Sequence, residues 1–259
     1  MNLAVGIAEA HAESVPMLAI VGQVPTTLEG RGAFQDSSGV GRSVNAVAMF
    51  GAIAKHVARI ASADTFWEEL ATAVRTALEG RPGPAVLLVP RDMFERDVPP
   101  MPASFPRDLR SFVRPATVPF AAAMPLFDAL KHARRPLFVA GTGLARSLDA
   151  GAFIAFARAA QIPVVTTMGD PGAFPNDDPL WLGVVGAAGH PSAHDYVVNE
   201  ADLVIAVGTG LNVMTRQPIG GALDQCRFGA VNIDAGEITR FGAMLLCKSR
   251  IWFCSCVGG

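Results

Sequence analysis

The fold class is indicated most directly by Gly80-Arg81-Pro82-Gly83-Pro84-Ala85-Val86-Leu87-Leu88-Val89-Pro90-Arg91-Asp92. Residues 85–89 form an uninterrupted apolar run, which is typical of a strand in a parallel sheet that is covered on both faces. The turn before this run is rigid, because its prolines fix φ and its glycines permit positive φ. Residues 65–79 have helical spacing, with Asp64 as a cap and Gly80 as a stop. This order of helix, turn and buried strand predicts an α/β unit.

Segments closer to the N-terminus extend this pattern. Residues 2–14 have helical spacing, and residues 17–21 form an apolar run that indicates a buried strand. Residues 24–44 are rich in Gly, Ser, Thr and Gln and show no periodicity, which predicts a loop. Loops of this length in compact domains are usually functional or disordered. This loop is therefore a candidate functional segment.

A proline-rich stretch divides the chain, since residues 99–119 contain six prolines. We place a first domain at 1–105, a linker at 106–119 and a second domain at 120–241. Alternating helices and strands in the second domain predict a second parallel sheet. Its predicted helices span residues 121–132, 150–160 and 192–200, and its predicted strands span residues 136–140, 164–167, 203–207 and 230–233.

The C-terminal residues differ in composition from those before them. Residues 245–253 depart from the preceding Ala/Gly/Val-rich composition, and three of the four cysteines lie in the last thirteen residues. We interpret residues 242–259 as a non-native tail that follows a frameshift near residue 242 and adds no strand to the sheet. Cys254 and Cys256 are too close together for a common zinc spacing, so we predict no metal site.

Composition excludes several classes of function. The 259 residues are 51% hydrophobic and 17% charged, with a formal net charge of -2. Nucleic acid is not an expected partner, because phosphate binding calls for a basic stripe. Apolar stretches are too short to span a bilayer, and residues 1–20 lack the basic start of a signal peptide. We therefore expect a cytoplasmic protein without a membrane partner.

Four motifs follow one another near the ends of predicted strands in the first domain. They are Gly22-Gln23-Val24-Pro25, Gly32-Ala33-Phe34-Gln35, Lys55-His56 and Gly80-Arg81-Pro82-Gly83-Pro84. Strand ends are where open parallel sheets bind ligands. In this order the motifs resemble those of the thiamine-diphosphate-dependent acetolactate synthase large subunits. The resemblance implies two doubly wound parallel-sheet domains: an incomplete pyrimidine-binding domain and a Rossmann-like central domain.

The resemblance also implies an activity for the intact enzyme. It implies thiamine diphosphate and Mg²⁺ as cofactors, a 2-keto acid as substrate, decarboxylation followed by carboligation, a homodimer or tetramer, and a place in branched-chain amino acid biosynthesis. The family's activating glutamate and its Gly-Asp-Gly…Asn magnesium motif are absent from this sequence. We therefore expect a fragment without a complete catalytic set that is inactive alone. The alternative is a non-catalytic nucleotide-binding or structural dimerisation module.

The resemblance assigns five residues to a substrate channel: Pro25, Phe34, Gln35, Lys55 and Arg91. The chemistry agrees for Lys55, because a keto-acid carboxylate or a developing oxyanion needs a cation. The alternative is that Lys55 and its neighbour His56 are solvated residues at the edge of the sheet.

A second set of residues resembles the flavin site of some family members. Gly141-Thr142-Gly143 follows a predicted strand, and such a turn can bring backbone amides close to a phosphate. The candidate FAD-binding residues are Arg81, Gly141, Gly143, Thr167, Met168, Asp234 and Glu237. Several charged residues of the family's flavin site are replaced in this chain. Gly210-Leu211-Asn212-Val213-Met214 stands where the family has Arg-Phe-Asp-Asp-Arg, and Asn232 stands where it has an aspartate. We therefore expect that no FAD co-purifies. His190 and His194 fit solvent-exposed or helix-capping positions better than metal ligands.

Overall fold

The computed structural model describes residues 2–112, 120–147, 149–234, 236–237 and 245–248. The chain forms two compact units, Met1–Arg114 and Pro115–Gly259. Each unit contains one sheet of parallel strands. The predicted α/β class is confirmed for both.

The first unit is a three-stranded sheet with helices on both faces, in the strand order β1-β3-β2. Its elements are α1 Leu3–Ala12, β1 Met17–Gln23, α2 Ala46–Gly51, β2 His56–Arg59, α3 Phe66–Leu78, β3 Pro84–Pro90 and α4 Arg91–Phe94. The connection between β1 and α2 is the long loop predicted from composition, and it contains one short 3₁₀ turn, Thr26–Leu28.

The central strand β3 organises the core of the first unit, because all of its residues are buried. Successive side chains of a strand point to opposite faces. Leu87 accordingly packs with Ala73 and Ala77 of α3, whereas Val86 and Leu88 pack with residues of α1 and α2. The uninterrupted apolar run is thus explained by helices on both sides of the sheet.

The predicted linker is partly a component of the first unit. Trp67 of α3 donates from Nε1 to the Pro99 carbonyl at 2.8 Å. Its ring contacts Phe105, which in turn contacts Phe112 at edge-to-face geometry. Phe112 is buried although it lies inside the predicted linker, residues 106–119. The first domain therefore extends beyond residue 105, and residues 113–119 lie outside the described part of the chain.

The second unit is a six-stranded parallel sheet in the order β6-β5-β4-β7-β8-β9. Its elements are α5 Phe120–His132, β4 Pro136–Ala140, α6 Thr142–Ala145, α7 Ala150–Ala160, β5 Val164–Thr167, β6 Trp181–Val185, α8 Pro191–Asp195, β7 Leu203–Val207, α9 Val213–Arg216, α10 Gly220–Leu223, β8 Arg227–Asn232 and β9 Leu245–Lys248.

The core of the second unit is built on β4 and β7, which pair in register at the centre of the sheet. Phe138, Phe153 and Phe174 are fully buried on one face and form a chain of aromatic contacts. The other face packs against residues of α8 and α10, including Ala193 and Leu223. Both faces are covered, as in other parallel sheets.

Three predictions for the second unit need correction. The predicted helix 192–200 is a short α-helix followed by a π-helical turn, Tyr196–Glu200. Strand β6 was missed, because Gly183 interrupts its apolar run at a positive φ of 112°. The expectation that residues 242–259 add no strand is wrong for Leu245–Lys248, which pair in parallel with β8. Residues 249–259 lie outside the described part of the chain.

In the described ranges of both units, none of the helices combines the length and the apolar character that crossing a bilayer requires.

Candidate functional site

The carboxyl edge of the first sheet brings Pro25 and Arg91 together. Strands β1 and β3 pair so that Gln23 lies opposite Pro90. Arg91 follows β3 directly, and Pro25 lies two residues after the end of β1. Asp92 holds the two segments together, because its carboxylate accepts hydrogen bonds from the Thr26 amide at 3.0 Å and the Thr26 hydroxyl at 2.7 Å. These hydrogen bonds, from the hydroxyl first, lower the pKa of Asp92. The edge therefore carries an exposed cation, Arg91, beside a tethered loop.

A buried amide fixes the loop to the same edge. Gln23 is 6% exposed. Its Nε2 donates to the Ser37 carbonyl at 3.1 Å, and its Oε1 accepts from Arg59 Nε at 3.2 Å. Arg59 also forms an ion pair with Glu29. Strand β2 is thereby connected to both halves of the loop.

Sequence reasoning missed the roles of Arg59 and Glu29. A usable signal was present, because Arg59 is the charged residue in an otherwise apolar stretch at residues 57–60. A charge inside a buried strand usually has a partner.

The tip of the loop presents Phe34 and Gln35 to the outside. Asp36 closes a turn beneath them by accepting from the Gly30 amide at 2.8 Å and the Ser38 amide at 3.0 Å. These bonds, with the Ser38 amide as the largest cause, lower the pKa of Asp36. Gln35 has a φ of 60° and Phe34 is 88% exposed. An aromatic ring and an amide are thus available to a ligand or to a second subunit.

Lys55 does not join these residues. It precedes β2, and its amide donates to the Pro84 carbonyl at 2.8 Å, so it lies at the amino end of the sheet. The length of β3 separates this end from Arg91 by roughly 20 Å. Its ammonium donates to the carbonyls of Thr76 and Glu79, the latter at 2.6 Å. The Lys55 cation thus binds the C-terminal end of α3 in this structure, and its place in a substrate channel stays a prediction.

Arg81 also lies at the amino end of the first sheet. Its Nε donates to the Ser14 hydroxyl at 2.7 Å, and a terminal nitrogen donates to the Ala12 carbonyl at 3.2 Å. The guanidinium therefore connects the turn before β3 to the end of α1. This contact gives Arg81 a structural role, and its contact with FAD stays a prediction.

The glycine turn predicted to hold a phosphate lies at the carboxyl end of β4. Its amides are already engaged: Gly141 donates to the Val207 carbonyl at 3.0 Å, Gly143 to the Gly208 carbonyl at 2.8 Å, and Leu144 to the Gly141 carbonyl at 3.0 Å. The helix that follows, α6, has only four residues. A phosphate would therefore find neither spare amides on these residues nor a long helix behind them.

The other predicted flavin residues lie at the carboxyl ends of neighbouring strands. Thr167 ends β5 and is 5% exposed, and Met168 follows it. Asp234 accepts from the Gly236 amide at 2.8 Å, and Glu237 lies against Gly210. The structure thus gathers these side chains along one edge, where Asp234 forms a turn of its own.

Asn232, the last residue of β8, connects the loops that follow β7 and β8. Its Nδ2 donates to the Thr209 carbonyl at 3.1 Å, and its Oδ1 accepts from the Asp234 amide at 3.0 Å. Both polar atoms of the Asn232 amide therefore bind backbone groups of these loops.

An open cavity of about 450 Å³ lies against the edge strand β6. Its lining includes Trp181 and His190, together with Ser192. His190 caps α8, because its Nδ1 accepts from the Ser192 amide at 3.3 Å, in agreement with the predicted capping role. Among the described residues, no three His, Cys, Asp or Glu side chains are grouped as metal ligands.

Two family models match the chain, one in each unit. The model of the thiamine pyrophosphate enzyme N-terminal TPP binding domain matches residues 1–41. The model of the thiamine pyrophosphate enzyme central domain matches residues 125–244. The two models occur in the order that the motifs predicted.

Curated relatives extend this match over most of the chain. The chain is 34% identical over 244 residues to a probable acetolactate synthase large subunit of Methanocaldococcus jannaschii, covering 92% of this chain and 39% of that protein. It is 32% identical over 241 residues to the acetolactate synthase large subunit of Parasynechococcus marenigrum, covering 92% and 37%. Acetolactate synthase 2, chloroplastic, of Zea mays is 31% identical over 240 residues, covering 92% and 36%. The chain thus spans less than two fifths of each relative's length.

Proposed function

The chain belongs to the thiamine pyrophosphate enzyme family, and we propose that it forms part of an enzyme that decarboxylates a 2-keto acid and joins the product to a second carbonyl compound. Its relatives are acetolactate synthase large subunits, of which it represents a part. The proposal includes a 2-keto acid as substrate, Mg²⁺ as the partner of the diphosphate, assembly as a homodimer or tetramer, a cytoplasmic location and a role in branched-chain amino acid biosynthesis.

One observation carries the proposal: the alignment to acetolactate synthases covers 92% of the chain and includes the loop that holds Phe34 and Gln35. The structure fits such a role, because Asp92 and Gln23 hold this loop at the carboxyl edge of the sheet. Ligands of open parallel sheets bind at that edge.

Thiamine diphosphate, when bound, supplies the stabilisation of negative charge on the carbon that reacts. The residues of this chain would act around it. Arg91 places a guanidinium where the carboxylate of the keto acid can pair with it. Phe34 excludes water from that carboxylate, and the amide of Gln35 donates to or accepts from the substrate. Arg59 and Glu29 act through the loop by keeping it in place.

A chimaera tests this proposal. The aligned segment of the Methanocaldococcus jannaschii relative is replaced by this chain, and acetolactate formation from pyruvate is measured with thiamine diphosphate and Mg²⁺. We expect turnover above background that falls at least about tenfold in Arg91→Ala, the equivalent of ~1.4 kcal/mol of transition-state binding. Arg42 is an exposed arginine of the loop between β1 and α2, so Arg42→Ala serves as the matched control. This variant should keep the activity of the chimaera. A folded chimaera in which Arg91→Ala is fully active contradicts the proposed site.

The 259-residue chain by itself should form no acetolactate, because it spans 39% of the relative and carries no complete catalytic set. The measurement is product formation from pyruvate with thiamine diphosphate and Mg²⁺ added. Turnover of the isolated chain at a rate comparable to that of the chimaera would contradict this prediction.

A second candidate function is a structural dimerisation module. The observation that favours it is the exposure of Leu18 (37%) and Ile20 (55%) on the edge strand β1. Exposed apolar side chains on an edge strand favour association. Size-exclusion chromatography of the parent and of Ile20→Lys distinguishes the two: a module that dimerises through β1 becomes monomeric on substitution.

A further inference from the structure

The switch point of the second sheet lies between β4 and β7, where the strand order β6-β5-β4-β7-β8-β9 reverses direction. In open α/β sheets, dinucleotides bind in the crevice outside this point, because the loops there diverge to opposite faces. The crevice exists only where the two loops stay apart. The contacts between the β4 turn, residues 141–144, and the β7 turn, residues 208–211, therefore decide whether the crevice is open.

The two turns fill the space between them with their own backbones. A Cβ placed on Gly141 would lie 2.5 Å from Thr209 Cβ, and one on Gly143 would lie 2.8 Å from the Gly208 carbonyl oxygen. On Gly208 a Cβ would lie 2.2 Å from the Leu144 amide nitrogen. Real Cβ atoms do not approach backbone atoms so closely. The glycines thus let the two turns pack directly against each other, so no space for a diphosphate remains between them.

The side chains that follow the β7 turn are unsuited to a dinucleotide. Val213 and Met214 follow the β7 turn and are 70% and 51% exposed. Asn212, beside them, accepts from the Thr215 amide at 3.0 Å and caps α9. A dinucleotide calls for cations at its phosphates and polar groups at its ribose. These positions provide apolar side chains and an amide that is already engaged.

The connection after β4 carries one charged residue of each sign, Arg146 and Asp149, and so offers no net positive charge to a diphosphate. Asp149 lies at the start of α7, and its Oδ2 is buried with no hydrogen-bond donor among the described residues. Burial raises the pKa of Asp149.

We propose that the β4 and β7 turns close the switch point of the second unit, so that this unit holds neither FAD nor another dinucleotide. The proposal rests on the packing of the turns and is independent of the carboligation proposed above. Its readouts measure binding and unfolding, so an inactive chimaera leaves it unaffected.

The first test uses the full chain and FAD alone. Purified protein is incubated with FAD in large excess and passed through a desalting column. Unfolding in urea is then followed by circular dichroism with and without FAD, and with ADP as a second probe. We expect no retained flavin absorbance and no shift of the urea midpoint. Retention of FAD near one equivalent, or a higher midpoint with either nucleotide, overturns the proposal, because a ligand that binds only the folded state must stabilise it.

A variant distinguishes two explanations for the absence of FAD binding: closure of the switch point by the turns, and a lack of charged side chains. The double variant Val213→Asp with Met214→Arg returns an acid and a cation to the exposed segment after β7. If the turns close the switch point, this variant still binds no FAD while keeping the urea midpoint of the parent. If it gains saturable FAD binding, the crevice was open and only the charges were missing, which overturns the proposal. Val5→Asp with Val98→Arg, at two exposed apolar positions of the first unit, serves as the charge-matched control.

Discussion

Gly208 is the residue at which a single methyl group should cost the most in the second unit. Its φ is 62°, and a Cβ there would meet the Leu144 amide at 2.2 Å. A side chain in the left-handed region costs roughly 1–2 kcal/mol, and forcing two backbones apart adds to that. Since Leu144 belongs to the β4 turn, the strain would reach the centre of the sheet.

We predict that Gly208→Ala lowers the free energy of unfolding by roughly 2–4 kcal/mol, measured by urea denaturation. Gly221→Ala is the matched control, because Gly221 is exposed in α10 and a Cβ there meets nothing within 4 Å. Adding Ala in a helix should leave stability unchanged or raise it by up to ~1 kcal/mol. Equal effects of the two substitutions would contradict the close contact between the turns.

Asp92 should make the tether of the loop dependent on pH. Its pKa is lowered in the folded state, first by the Thr26 hydroxyl. The stabilisation is therefore present above the unfolded pKa of about 3.9 and is lost as pH falls through the folded pKa. An asparagine at this position cannot ionise, so the stability of Asp92→Asn should lack this dependence on pH.

The measurement compares the urea midpoints of the parent and Asp92→Asn from pH 7 down to pH 3. We expect the parent to be the more stable protein at neutral pH, and the difference to shrink as the pH falls below the unfolded pKa. Asp97→Asn, an exposed carboxylate a few residues further along, is the control and should follow the parent at every pH. A difference that grows on acidification would contradict the assignment of the tether.

At the scale of the element, Lys55 stabilises the end of α3. Carbonyls in the last turn of a helix lack intrahelical donors, and a cation there is favoured by the helix dipole. The Lys55 ammonium donates to two carbonyls at this end, while its stem lies against Gly83. One side chain thus holds the end of α3 and the turn before β3 together.

Lys55→Met keeps the apolar stem and removes the donor, so we predict a loss of about 1 kcal/mol in the free energy of unfolding. Lys131→Met, at an exposed position of α5, is the matched control and should change little. In the chimaera, Lys55→Met should leave the KM for pyruvate unchanged. A raised KM with unchanged stability would return Lys55 to the substrate channel.

At the scale of the whole chain, the outer strand of the second sheet determines whether the C-terminal residues can be removed. Strand β9 pairs with β8 from Gly229 opposite Leu245 to Asn232 opposite Lys248, and α5 packs against it. Without it, β8 would present an unpaired edge, which favours aggregation. Deletion is therefore expected to destabilise the unit, in contrast to what composition alone indicated.

We predict that deleting residues 242–259 lowers the melting temperature by several degrees, given that ~1 kcal/mol shifts it by roughly 2–4 °C in a domain of this size. Deleting only residues 249–259 keeps β9 and serves as the control, with an expected melting temperature equal to that of the full chain. Identical melting temperatures for both truncations would show that β9 contributes nothing to stability.

Part of the candidate site could be predicted from the sequence. The motifs predicted the family, and the family models confirm it. Pro25 and Arg91 were expected at strand ends and lie at one edge of the first sheet. Lys55 and Arg81 were expected just before their strands, but the sequence did not show that their cations donate to carbonyls at the ends of α3 and α1.

The sequence by itself determined the α/β class and most strand positions, because a buried parallel strand requires a continuous apolar run whatever its neighbours are. Strands β4, β5 and β7 accordingly occupy their predicted bounds. Only the tertiary structure decided what packs against each turn. The contact of Gly143 with Gly208 joins residues 65 positions apart, and the ion pair of Glu29 with Arg59 joins residues 30 apart. Such contacts depend on strand order and register, which bring distant segments together and leave no periodic pattern in the chain.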